Sequence, residues 1–245
     1  MKKILLCALI AFSGFLNAQN QIKVMTFNIH AASDATIEDI ANFIKQEKPD
    51  IVALQEVDFY TDRSKSSTLR PNNNNEDMLT SLAKYTKMQG MFFPAIDVHG
   101  GKFGIAVLSN LGFESTQSIS LPYVTGTEKR VAALCTIELA NQKTVSLLCA
   151  HLDMANQDNG MDQIKKINEL GREAAHPIIL AGDLNKRVGT THINELETTW
   201  KLSSSNEFDH IAQLSTNKFN VVNIKVYTDN TLSDHLPIMV TYELN

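Results

Sequence analysis

Cysteine is scarce in this sequence: there are three among 245 residues, Cys7, Cys135 and Cys149. No tight Cys/His cluster exists, which excludes a structural zinc site. A basic surplus is lacking too. The 22 Lys and Arg face 27 Asp and Glu, a formal net charge of −5, so the chain is no general polyanion binder. Tryptophan occurs once, at Trp200. Past residue 18 no apolar stretch is long enough to span a bilayer. No repeat and no linker-like stretch divides the chain, so a single domain is expected. What is present is ordinary globular composition, 43% hydrophobic and 20% charged.

The first 18 residues stand apart. Lys2 and Lys3 precede an apolar run, Ile4 to Phe12, and Leu16-Asn17-Ala18 ends in a small residue. This order is that of a secretory signal peptide cleaved after Ala18, with residues 19–245 as the mature domain. A buried N-terminal helix is the bland alternative. The reading implies a secreted or periplasmic protein. Without Lys2 and Lys3 the balance is 20 basic to 27 acidic residues, or −7. Export permits a Cys135–Cys149 disulfide. Both also lie in apolar strand-like segments where buried free thiols are common, and the two readings stay open.

Periodicity gives the elements. Ile22 to Asn28 alternates and is β-rich, and Ile51 to Leu54, Phe103 to Leu108 and Ile178 to Ala181 are short apolar runs, all read as strands. Val131–Glu138 and Thr144–Ala150 read as a hairpin around 140–143. Val221–Tyr227 and Leu236–Tyr242 complete the strands. Helices are expected over Thr36–Glu47, with Thr36 as cap and Ile37, Ile40, Ala41 and Ile44 as the apolar stripe. Further helices are expected over Glu76–Tyr85, Gln163–Leu170 and near Ile193–Thr199. Strand-after-strand mixed with strand–helix alternation fits sheets packed on each other with helices outside.

The strand IILA ends in Gly182-Asp183-Leu184-Asn185, and strand alternation predicts that Asp183 and Asn185 share a face. Similar residues close other strands: Asn28 and His30, Glu56 and Asp58, and His151 and Asp153; Asp209 and His210 lie on a later short strand, and Asp234 and His235 precede the last. Singly, each is an ordinary turn residue. Together, at strand boundaries, they suggest a shared site on a rigid frame. Oxygen ligands from Asn28, Glu56 and Asp234 suit Mg²⁺ or Mn²⁺. Histidines and carboxylates beside them suit acid–base work.

The series MTFNIH, ALQEVD, FGIAVLSN, CAHLD, LAGDLN, FDHI and SDHLP resembles the endonuclease/exonuclease/phosphatase superfamily, in order over nearly the whole mature chain. QEVD, GDLN and SDH together carry the specificity. The resemblance implies an α/β (α+β) fold, a four-layer α/β/β/α sandwich. Its two mixed, mostly antiparallel sheets pack together, with the site at one edge. It implies Glu56 as principal metal ligand, helped by Asn28 and Asp234. It implies that His235, held by Asp209, faces the phosphate, that Asp183 positions or deprotonates the attacking water, and that Asn185 and His151 donate to phosphate oxygens. Arg130 matches an arginine near the phosphate in some relatives. The chain departs from the pattern at His210, where relatives commonly carry Tyr, at Phe208, where a basic residue is frequent, and at Ile105, an Asn in part of the family. These departures bear on specificity.

The expected substrate is therefore a phosphate ester and the expected state a monomer. Nucleic acid is a candidate substrate, against which the acidic charge counts. Arg63, Lys65, Arg70, Lys129, Arg130, Lys186 and Arg187 follow or precede the key strands. They form a basic rim, with Arg63 and Arg130 as substrate contacts, if the strand ends converge; an ordinary solvated surface is the equal alternative. A neutral sphingomyelinase-like lipid hydrolase would want an exposed apolar insertion, and 111–128 offers only Phe113 and Tyr123. A secreted calcium-binding module is a different class, but calcium has no use for His151 and His235. A Cys149–His151 nucleophile fails because side chains two apart on one strand run parallel.

Overall fold

The computed structural model describes residues 21–64, 77–139 and 143–244. The predicted signal peptide, Lys65, Arg70 and the hairpin turn at 140–142 lie outside the described residues.

Two six-stranded sheets face each other. The first contains β1 (Gln21–Asn28), β2 (Ile51–Phe59), β3 (Gln89–Val98), β4 (Gly101–Ser109), β11 (Phe219–Val226) and β12 (Ile238–Leu244), in the order β11-β12-β1-β2-β4-β3. The second contains β5 (Phe113–Ser120), β6 (Val131–Glu138), β7 (Thr144–His151), β8 (Ile178–Asp183), β9 (Trp200–Asn206) and β10 (Asp209–Leu214), in the order β5-β6-β7-β8-β10-β9. Among the described residues, β1–β2 and β7–β8 are the pairs that run parallel. Each parallel pair needs a crossover, supplied by α1 (Ile37–Glu47) and α3 (Gln157–Arg172). Two shorter α-helices, α2 (Met78–Thr86) and α4 (Thr191–Leu196), are also present.

Why the central strands bury apolar residues on both faces follows from the layers. Val24, Ile51, Cys149 and Ile179 enter the core between the sheets. Their neighbours Met25 and Val52 pack with Ile40 and Ile44 of α1, and Leu148 and Leu180 pack with Ile164 and Ile167 of α3. Each central strand is thus covered on both faces, as its composition requires. Cys135 and Cys149 are free thiols in the inter-sheet core. Burial pushes the Cys149 thiol far above its usual range, so it stays protonated and offers no nucleophile.

The capping box at Thr36 is formed, with Asp39 N–H donating to Thr36 Oγ1 at 3.1 Å. Three expectations need correction. β3, β5 and β9 are strands that the sequence pattern does not predict. The helix expected from Gln163 begins at Gln157, capped by Asn156. The helix near Ile193 starts two residues earlier, at Thr191, and ends at Leu196.

Candidate active site

Both parallel pairs run their carboxyl ends to the same edge of the sandwich, where a crossover fold opens a crevice. Asn28 ends β1, His151 ends β7 and Asp183 ends β8. Gly182 makes the last two neighbours: a Cβ there would lie 2.0 Å from the Ala150 carbonyl oxygen, so only glycine lets β8 run this close to β7. Asp209 opens β10 and pairs across from Asp183. β12 runs antiparallel to β1, with Ile238 opposite Thr26, so the residues just before it, Asp234 and His235, lie beyond the end of β1. Antiparallel return thus joins residues far apart in the chain.

Glu56 arrives by a different device. The β2–β4 register jumps between Leu54 and Val57, and Glu56 sits there at φ 56°. A non-glycine residue in the left-handed region is strained by about 1 kcal/mol or more. The bulge turns the side chain out of the alternation, and Glu56 Oε1 accepts from Asn28 Nδ2 at 3.1 Å.

Asp183 is the hub. Its Oδ2 accepts from Asn28 Nδ2 at 3.1 Å and lies 3.5 Å from His151 Nε2 and 3.8 Å from His235 Nε2. Its Oδ1 accepts the Asn185 N–H at 2.8 Å. Burial, then the Asp209 charge, pushes its carboxyl above the usual range, against the pull of His235, Asn185 and Asn28. His235 Nδ1 lies 2.6 Å from Asp209 Oδ2 across 26 positions of sequence, as the FDHI and SDH motifs imply. Burial alone would lower the His235 pKa. The bond to Asp209 and the charges of Asp209, Asp183 and Asp234 raise it to about 9. His151 is pushed the other way, chiefly by burial and then by Arg130 and His235. Arg130 Nη1 is 2.8 Å from His151 Nδ1. A guanidinium only donates, so Nδ1 accepts and the ring proton sits on Nε2, toward Asp183.

The remaining expected residues divide. Asp234, 55% exposed, lies 3.4 Å from His30 Nδ1. His30 had no assigned role; the series MTFNIH contains it, but only the fold shows it beside Asp34 as well, at 2.8 Å. The Asn28 amide, expected as an oxygen ligand, is hydrogen-bonded at both ends here. Its Oδ1 accepts the His30 N–H at 3.0 Å, and its Nδ2 faces the two carboxylates, so it orients Glu56 and Asp183. Asn185 does not share a strand face with Asp183: at φ 52° it is past the strand, and its Nδ2 donates to the Leu152 carbonyl at 2.9 Å. Arg63 is tied to other partners, 3.5 Å from Asp58 and stacked 4.7 Å from the Phe103 ring centre. Of the expected basic rim, Lys129 lies over Tyr123 and Arg187 over Phe208, while Lys186 is buried.

Glu56, Asp183, Asp209 and Asp234 therefore gather around few cations, and the Asp234 and Glu56 charges add to the rise of the Asp209 pKa. Among the described residues, the ligand atoms of His30, Asp34 and Asp234, and those of Asp183, Asp209 and His235, lie within 4.8 Å of one another, and carboxylate oxygens of this kind are suited to a hard divalent cation.

No curated protein matches the sequence. Solved structures do match in fold. An endonuclease/exonuclease/phosphatase from Beutenbergia cavernae aligns with a TM-score of 0.75 at 20% identity, over 92% of this chain and 72% of that one. The human Nocturnin catalytic domain, with a bound sulfate anion, aligns at 0.69 and 20% identity, over 94% and 95%. A Bacteroides thetaiotaomicron mannosyl-6-phosphatase aligns at 0.66 and 16% identity, over 90% and 99%. Residues 25–235 match the Endonuclease/Exonuclease/phosphatase family, and with the sandwich and the order of its site residues in place, the chain belongs to that family of phosphoester hydrolases.

Proposed function

We propose that the protein is an exported, Mg²⁺- or Mn²⁺-dependent phosphoesterase that cleaves phosphodiesters or phosphomonoesters by attack of water at phosphorus. The observation that carries this reading is the Asp183 hub, which the edges of buried His151 and half-buried His235 and the Asn28 amide share. Glu56 and Asp234 hold the cation, which supplies charge stabilisation at the phosphoryl and leaving oxygens. Asp183, its proton affinity raised by burial, orients the attacking water and takes its proton. His235, kept cationic by Asp209, faces the phosphate and stabilises charge that grows during the reaction. Asn185 has a second amide N–H beyond the one given to Leu152, and Arg130 and His151 lie on the same edge as further donors.

The test is hydrolysis of bis-p-nitrophenyl phosphate and p-nitrophenyl phosphate with Mg²⁺ or Mn²⁺, abolished by chelation. Inactivity on both esters with both ions refutes the reading. A panel of single-stranded DNA, duplex DNA, RNA, sphingomyelin and sugar phosphates then separates substrates; the mannosyl-6-phosphatase of similar fold puts sugar phosphates in that panel. A calcium-binding module leaves the Asp209–His235 pair without a purpose. Export is tested by N-terminal sequencing of the protein from its host, which should begin at Gln19; an intact Met1 in the soluble form counts against it.

A further inference from the structure

Lys186 follows Asn185 directly and is 4% exposed. Its ammonium donates to the Asp153 carbonyl at 3.0 Å. Its stem lies over Gly160 in the first turns of α3, where a Cβ would come within 2.7 Å of Lys186 Cε and 3.0 Å of Nζ. Any other residue at 160 displaces this side chain. Burial lowers the Lys186 pKa, with the charges of Asp153 and Asp183 opposing. An ammonium taken out of water is unfavourable unless something is gained.

The gain is visible in the bonds around it. Asn185 Nδ2 donates to the Leu152 carbonyl, and Lys186 Nζ donates to the next one, that of Asp153. Two consecutive side chains after β8 thus clasp two consecutive carbonyls after β7. Asp153 is fixed in turn. Its N–H donates to Gln163 Oε1 at 2.8 Å, and its Oδ2 accepts from Asn159 Nδ2 at 2.7 Å. Gln163 Nε2 continues to the Pro122 carbonyl at 2.9 Å, in the loop that ends at Arg130. The Lys186 carbonyl accepts from His210 Nε2 at 2.7 Å, beside Asp209. Asp153, Asn159, Gln163 and His210 are all at or below 2% exposure. Buried and hydrogen-bonded, such a network is rigid, and it joins the segments that carry Arg130, His151, Asn185 and Asp209.

We propose that Lys186 is a positioning residue for phosphoester hydrolysis: seated over Gly160, it clasps the loop after β7 and fixes Asn185 with its second amide N–H toward the phosphate. The inference rests on the phosphoesterase reading of the site. A buried lysine that merely supports the fold is the competing account, and Gly160→Ala separates the two. Alanine is the better helix former and the obstructing atoms are the end of a flexible side chain, so the melting temperature should hold or rise. Lys186 must move, however. Turnover of bis-p-nitrophenyl phosphate should fall roughly 10- to 100-fold with KM near that of the unmodified protein. Lys186→Met keeps the length, removes the ammonium and should give the same kinetic pattern. Adding Gly160→Ala to Asn185→Ala should cost less than about twofold more, because both act through one amide. Full turnover in Gly160→Ala, turnover and melting temperature lost together, or losses that multiply in the double variant would each overturn the proposal. An unmodified protein inactive on every phosphoester refutes the underlying reading and this inference with it; an active one with an equally active Gly160→Ala variant refutes the inference alone.

Discussion

Replacing His235 by alanine probes the site in two observables at once. The ring is 19% exposed, Asp209 is 2% exposed, and 2.6 Å separates Nδ1 from Oδ2. Loss of a positioned group at phosphorus costs roughly 10²- to 10⁴-fold in turnover, about 3–5 kcal/mol of transition-state stabilisation. Breaking a buried ion pair from one side costs about 3–5 kcal/mol of stability. The lower end applies here, because burial already favours the protonated form of Asp209, and the orphaned carboxyl can take up a proton. Asp209→Asn keeps the size and an acceptor oxygen for the ring, so it should lose only about tenfold in turnover. In the double variant neither charge is buried alone. Its stability should recover by about 1 kcal/mol or more over His235→Ala, and its turnover should lie within about threefold of that variant. Bis-p-nitrophenyl phosphate kinetics and urea denaturation of the four proteins decide. Turnover losses that multiply, or a double variant less stable than His235→Ala, would show that the two residues do not act as a unit.

Glu56→Gln keeps an acceptor for Asn28 but removes a charged ligand. Metal-dependent turnover should drop by roughly 10²-fold or more, Mn²⁺ affinity by calorimetry should fall, and stability in chelator should be unchanged. Thr36→Ala removes the capping box of α1 and should cost about 1 kcal/mol by denaturation with kcat unaltered. Burial lowers the His210 pKa below its usual 6.5. As pH falls through that value the unfolded chain takes a proton that the folded one declines, so stability drops by up to about 1.4 kcal/mol per pH unit. His210→Gln should be the less stable protein near pH ~7.5 and close the gap by pH ~5; parallel urea curves at both pH values would refute this.

The sequence was most legible where burial is two-sided. β2, β4, β7 and β8 carry consecutive apolar residues because each lies between two core layers, and their runs stand out; β1 shows instead by its alternation. The edges of the sheets are β11, β3, β5 and β9, and three of these four gave no strand signal. An edge strand hydrogen-bonds on one side and packs little. β5, Phe113-Glu-Ser-Thr-Gln-Ser-Ile-Ser120, is mostly exposed, and its pairing with β6 comes from backbone groups that any sequence carries. The first turns of α3 were hidden for a related reason. Asn159 and Gly160 are poor helix formers, and they stand there for Asp153 and Lys186, contacts made by other segments.

The site divides along the same line. Asp183, Asp209 and His235 were legible because strand ends converge in this architecture, so residue type and order sufficed. Which atom of the Asn28 amide faces inward was not. Its Nδ2 spans Glu56 of one sheet and Asp183 of the other, and ionised carboxylates accept but never donate. The nitrogen must therefore face them, and the oxygen must go to the His30 N–H. That N–H is available because His30, Ala31 and Ala32 all turn at positive φ directly after β1. Nothing in the letters MTFNIHAA marks three consecutive left-handed residues without glycine. They are held by neighbours in the fold: His30 by Asp34 and Asp234, and Ala31 and Ala32 by full burial against α1 and β2. The strain at the end of β1, like that at Glu56, is sustained by the packed frame and is concentrated where two carboxylates from opposite sheets must be held a few ångströms apart.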